Sequence, residues 1–321
     1  MILINQKLTI SLGKINMQDY LNLKTVKKVF KPSFQGEGKG ARVKRIIGSQ
    51  NLSKKAMDPF LMLDHFNVKL PAGFPDHPHR GFETVTYMLS GKIHHEDFKG
   101  HKGTIGPGDI QWMTAGKGIV HAEIPASKDE ASIGFQLWIN LRKEEKMKDP
   151  TYQEFTSDMI PLVDRWESEG IKAKVIAGET FDVKGPIYTR TPAEYIDFEL
   201  KKDSVYKHTI PGKWNFLIYA FEGSFEITQE KTTPVTIENG AAAFMEINDE
   251  DEVLEIKGLG KTNKFLLVAG LPIKEPIASY GPFVMNTDEE ISETISDFQD
   301  SDNGFEGADV WESEIKDLMI E

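Results

Sequence analysis

Residues 74–91 read FPDHPHRGFETVTYMLSG. After the prolines and charges the segment becomes VTYMLS, a run of β-branched, aromatic and aliphatic residues that stops at Gly91, which is the composition of a strand closed by a turn. Working outward, GTIGPGDIQWM (103–113), GFQLWINL (134–141), WNFLIYAFEGSFEI (214–227), TPVTIENGAAAFMEI (233–247) and KFLLVAG (264–270) repeat the device. Short strands punctuated by Gly and Pro, with little helix, predict an all-β chain of sandwiches or barrels rather than βαβ units. The charged stretch 142–168, RKEEKMKDPTYQEFTSDMIPLVDRWES, contains two prolines and is the best connection between two domains.

Slid against itself by 132 residues, the chain matches its own landmarks: Tyr87 and Gly91 fall on Tyr219 and Gly223, and Ile105 and Gly108 on Ile237 and Gly240. The sequence therefore predicts a duplication, each half a small barrel of Greek-key type.

The opening stretch also carries chemistry. His77 and His79 are two apart, so on an extended strand both imidazoles share a face, and Glu83 continues the parity. Downstream, His121 and Glu123 in VHAEIP repeat the spacing. Two such strands facing each other inside a barrel would offer three neutral nitrogens and one carboxylate. That donor set suits a borderline transition metal, Fe, Mn, Co, Ni, Cu or Zn, rather than Mg or Ca. Four protein ligands leave room for substrate or oxygen on a five- or six-coordinate ion such as Fe(II), which differs from a closed tetrahedral zinc site. With no cysteine in the chain, thiolate sites, disulfides and cysteine nucleophiles are excluded. At the same offset His77, His79 and His121 fall on Thr209, Pro211 and Val253, so one divalent transition metal per chain, in the first half, is expected.

The weaker candidates are His65, His94, His95, His101, His208 and Arg80. Adjacent His94 and His95 point to opposite faces of a strand, His208 lacks a chelating neighbour, and Arg80 is expected to pair with a local carboxylate.

Composition is globular: 321 residues, 39% hydrophobic, 10% aromatic and 27% charged. The net charge of −12 divides unevenly, with 23 Lys+Arg against 15 Asp+Glu over residues 1–150, and 15 against 35 beyond. The basic excess reads as a solvated face, and direct nucleic-acid binding is not expected. From Asn286 to Glu321 there are 13 acids and one Lys, but Ile291, Ile295, Phe298 and Trp311 lie between them, and the apolar spacing of ISETISDF (291–298) is helical. That end is expected to form an amphipathic helix and dock on the basic half. No apolar run reaches the length of a membrane span, and MILINQKLTISLGK does not read as a signal peptide. A cytoplasmic address, or a nuclear one in a eukaryotic cell, is the expectation.

Taken whole, GFPDHPHRGFETVTYMLSG resembles the first cupin motif and PGDIQWMTAGKGIVHAE the second, in the wording of the pirin family of two-domain cupins. QGEGKGARVKR (35–45), DPFLMLDHF (58–66), NLRKEEKM (140–147) and NGFEGADVW (303–311) extend the likeness from about Val26 onward. The resemblance implies two tandem jelly-roll-like cupin barrels with a short C-terminal helical segment. The expected divisions are an extension over 1–25, a metal-binding cupin over 26–145, a metal-free cupin over 146–285 and a docked acidic segment over 286–321. It also implies one iron held by His77, His79, His121 and Glu123, with Glu123 as base and Glu83 dispensable. The wider cupin pattern would instead choose Glu83. The activity implied is dioxygenation of a small aromatic enol-ketone, a flavonol such as quercetin, with O2. The alternative is a metal-containing regulatory binding protein, a transcriptional cofactor or partner of a metabolic enzyme.

Overall fold

The computed structural model describes residues 23–229 and 232–320, so most of the expected 1–25 extension lies outside the described residues. Two seven-stranded and two four-stranded antiparallel sheets form two barrels. In the first, the large sheet runs in the order Thr151–Phe155, Ile110–Thr114, Phe82–Ser90, Ser132–Asn140, Phe60–Val68, Ala41–Ile47, Phe34–Glu37. The small sheet runs Phe74–His79, Ile119–Pro125, Ile93–Asp97, Lys102–Ile105. The second barrel repeats this plan, and the duplication holds at the level of register: His77 pairs with His121, Thr209 pairs with Val253, and both residues of the second pair lie 132 positions beyond the first.

Along each strand alternate side chains face opposite ways, and the large sheets use both faces. Val85, Tyr87, Trp112 and Phe135 of the first barrel meet Tyr195, Leu217, Tyr219 and Leu266 of the second in one shared core. The interior of the second barrel is filled with aliphatic and aromatic side chains such as Ile196, Phe198, Phe216 and Phe265. Apolar filling inside the first barrel is split between a group around Val43, Phe66, Met88 and Ile105 and another around Leu61, Phe82 and Trp138, and between them the interior is partly hollow and holds polar side chains such as Thr86, Glu123 and Gln136.

The barrels exchange strands across the expected boundaries. Val26–Phe30, placed by the sequence in the first unit, is the edge strand of the second large sheet, paired with Ala242–Met245. Thr151–Phe155, placed in the second unit, is the corresponding edge of the first, paired with Ile110–Thr114. Lys24 secures the leading segment through a buried 2.5 Å ion pair with Glu252.

The acidic end forms the expected helix, Asp288–Asp300, opened by a capping box in which Thr287 accepts from the Glu290 backbone N–H and Glu290 answers the Thr287 N–H. Ile291, Ile295, Phe298, Phe305 and Trp311 pack on Phe98 and Val120 of the first barrel. Met319 reaches Ala122 and Ile124 on the outer face of the same small sheet. Among the described residues no helix is long and apolar enough to cross a membrane.

Candidate metal centre

Phe74–His79 is an edge strand, where Pro75 and Pro78 sacrifice no ladder hydrogen bond. It carries His77 and His79 inward. Its neighbour Ile119–Pro125 sets His121 directly opposite His77. The two ligand-bearing strands are thus side by side in one sheet rather than facing across the barrel, which brings the His77 and His121 Nε2 atoms to 3.0 Å. One nitrogen from each of His77, His79 and His121 lies within 4.8 Å of the others.

The imidazoles are prepared as neutral ligands. His77 Nδ1–H donates to the Pro75 carbonyl at 2.8 Å, which leaves its Nε2 lone pair aimed at His121. His79 Nδ1 is buried without a hydrogen-bond partner. Burial lowers the pKa of all three, and the neighbouring imidazoles push His79 and His121 further down, so none competes for a proton near neutrality. One nitrogen of each neutral imidazole converges on a common space, and His79 Nδ1 is buried without a partner; a donor set of this kind suits a borderline cation, so the residues present fit a metal.

Glu123 lies on the same strand face but does not join the three imidazoles. Its carboxylate accepts from Thr86 Oγ1 at 2.8 Å and Gln136 Nε2 at 2.9 Å, on two strands of the facing sheet. Burial raises its pKa, and these two hydrogen bonds draw it back. Neither Thr86 nor Gln136 was singled out by sequence: Thr86 is 37 residues from Glu123 and Gln136 is on the next strand of the chain, both in the other sheet, and only the packing of the two sheets brings them to Glu123.

Glu83 is not with the ligands. The parity from His79 breaks because the chain leaves the small sheet at His79 and enters the large one at Phe82, turning through Arg80 and Gly81, whose φ is 88°. Phe82, Thr86 and Met88 then face the interior, while Glu83, Val85 and Tyr87 face the second barrel. There Glu83 accepts from Thr114 Oγ1 at 2.7 Å and approaches Arg190 at 3.9 Å, and burial pushes its pKa up to about 7.

A cavity of about 930 Å³ opens beside the imidazoles, lined in part by Phe74, Gln136 and Trp138 and walled by Ser279, Pro282 and Val284 of the C-terminal segment. Arg80 fixes that wall. Its guanidinium donates to the Lys117 and Asn303 carbonyls and pairs with Asp297 at 2.6 Å, over the ring of Phe305. Arg80 thus pairs with a carboxylate as expected, but with one 217 residues away in the chain rather than a local one. His65 meets the Tyr219 hydroxyl at 3.0 Å between the barrels, and buried His208 sits between Glu194 and Tyr206.

Two family models match the chain, Pirin over residues 40–139 and the Pirin C-terminal cupin domain over 195–304. Pirin-like protein 2 of Arabidopsis thaliana is 47% identical over 307 residues, covering 95% of this chain and 92% of that protein. The chain belongs to the pirin family. Human pirin is 47% identical over 287 residues, 88% of this chain and 94% of its own length. A crystal structure of quercetin 2,3-dioxygenase from Acinetobacter baumannii superposes with a TM-score of 0.77 at 32% identity, covering 87% of this chain and 98% of that one. The pirin match over 40–139 contains His77, His79, His121 and Glu123, and the C-terminal cupin match reaches the docked helix.

Proposed function

We propose that the chain is an iron-dependent dioxygenase of the pirin type, cleaving a flavonol such as quercetin with O2. The observation that carries this reading is the three-imidazole cluster opening, beside Glu123, on a cavity of about 930 Å³, a volume in the range that encloses small organic ligands. The likeness to quercetin 2,3-dioxygenase supports the substrate class.

In this reading His77, His79 and His121 hold the ion, and Glu123, whose oxygens rest on Thr86 and Gln136 beside them, would complete the set. When bound, the metal supplies a Lewis acid that lowers the pKa of an enolic hydroxyl, together with a redox centre for dioxygen chemistry. The protein's own contribution is separable from that. Phe74 and Trp138 offer flat apolar surface to an aromatic ring system, and Pro282 and Val284 exclude water from one side. Glu123 is the base that takes the enolic proton: burial raises its proton affinity toward the range useful for proton transfer, and Thr86 and Gln136 hold both oxygens in place.

The test is oxygen uptake and loss of quercetin absorbance by protein reconstituted with Fe(II). Turnover that disappears in Glu123→Gln is expected. Absence of turnover in fully metal-loaded wild-type protein would overturn the enzymatic reading and leave a metal-containing binding protein, to be sought by metal-dependent capture of a partner.

A further inference from the structure

A second set of ligating side chains converges in the same barrel, where the open edges of its two sheets meet. His95 lies on Ile93–Asp97, His101 just precedes Lys102–Ile105, and Glu154 lies on the exchanged edge strand Thr151–Phe155. Glu154 Oε1 is 3.0 Å from His101 Nε2 and 3.3 Å from His95 Nε2, and one ligand atom of each residue lies within 4.8 Å of the others. At metal–ligand distances of about 2.0–2.2 Å, adjacent ligand atoms of a tetrahedral site are roughly 3.3–3.6 Å apart; the His95–Glu154 separation of 3.3 Å matches this and the 3.0 Å between His101 and Glu154 is a few tenths shorter.

Hydrogen bonding alone accounts poorly for this arrangement. Gln111 Nε2, which can only donate, already reaches Glu154 Oε1 at 2.6 Å. His101 Nε2 at 3.0 Å takes the second lone pair of that oxygen, so His95 Nε2, 3.3 Å away, has no lone pair left there to donate to and is free to present its own to the cluster. The surroundings keep that space clear and the rings oriented. Gly103 pairs with His95, and a Cβ there would stand 2.7 Å from His95 Nε2. His101 stacks on Tyr152 with ring centroids 4.0 Å apart, and the Tyr152 hydroxyl donates to Asp97 at 2.6 Å. Burial also holds the His95 pKa down to about 4, so the ring is neutral at physiological pH. His95 is buried, whereas His101 and Glu154 are each 34% exposed, which gives an ion a route from solvent and leaves room for a water ligand.

We propose that His95, His101 and Glu154 form a second site for a borderline divalent cation such as Zn(II), weaker than the three-histidine centre and open to solvent. It goes beyond the single metal expected from the sequence and does not depend on the dioxygenase reading.

The test is an equilibrium titration of the metal-free full chain with Co(II) at pH 7.5, following the visible absorbance of the bound ion, with circular dichroism to confirm folding of each variant. Wild type is expected to take up two equivalents in two steps. The double variant His101→Ala, Glu154→Gln, altered at half-exposed positions, should lose the second step and keep the first. The double variant His77→Ala, His121→Ala should lose the first and keep the weaker one. A wild-type titration that ends at one equivalent, or a second step that survives loss of both His101 and Glu154, would overturn the proposal.

Discussion

Glu123 and Glu83 are both buried carboxylates, yet one faces the barrel interior and the other the second barrel, and their substitution should separate cleanly. Glu123→Gln is expected to weaken metal binding about tenfold or more, measured by competition with a chelator, whereas Glu83→Gln should leave metal content unchanged. Glu83 has its own signature in stability. Its folded pKa is raised from 4.5 to about 7 by burial, so the folded state holds a proton that the unfolded state releases between those values. The stabilisation from Glu83 is thus complete below about pH 4.5 and lost as the pH rises through 7. Glu83→Gln should remove this loss, raising stability relative to wild type above pH 7 by on the order of 3 kcal/mol and changing it little below pH 5. Denaturant melts across that range check it. The sequence was enough to expect His77, His79 and His121 to converge, because two-residue spacing puts each pair on one strand face, but it had the two strands facing across the barrel where they are hydrogen-bonded neighbours. It could not place Glu83, because one positive-φ turn at Gly81 resets the alternation.

Among the elements, the C-terminal helix Asp288–Asp300 is the one whose apolar spacing and docking could both be read from sequence. Its tie to the metal centre could not. Arg80, one residue past His79, is 1% exposed and anchors the segment through Asp297 and the Asn303 carbonyl. Removing one partner of a buried ion pair strands the other, at about 3–5 kcal/mol. Arg80→Ala should therefore lower stability by that order. Limited proteolysis should find residues 286–320 resistant in wild type and cleaved early in the variant. The same contacts explain why Gly81 must remain glycine: a Cβ would lie 2.0 Å from the Val284 carbonyl oxygen. Glu154 of the second cluster was equally invisible in the sequence, since 53 residues separate it from His101 and only the exchanged strand joins them.

For the whole molecule, the offset of 132 residues visible in the sequence is the register of the duplicated sheets, but the strand exchange left no sequence signal. VKKVF and TYQEF are short, half-polar edge strands that would suit either barrel. A cut at the expected boundary, between residues 145 and 146, removes an edge strand from each barrel. The two fragments should be unstable alone and recover cooperative unfolding when coexpressed, as followed by thermal denaturation. In the intact protein, metal should stay in the three-histidine centre through the pH range where a free imidazole titrates and leave only in stronger acid, because burial lowers the proton affinity of all three ligands and they bind only when neutral. Occupancy measured by elemental analysis after dialysis across a descending pH series from pH 7 checks this, and loss complete by pH 6 would contradict it. The exchange also sets an order in time. The strand Val26–Phe30 is among the first described residues to leave the ribosome, but its partner Ala242–Met245 follows 212 residues later. At a synthesis rate of about 5–20 residues per second it waits some 10–40 seconds, with its hydrogen-bonding edge unpaired, until the second barrel exists to receive it.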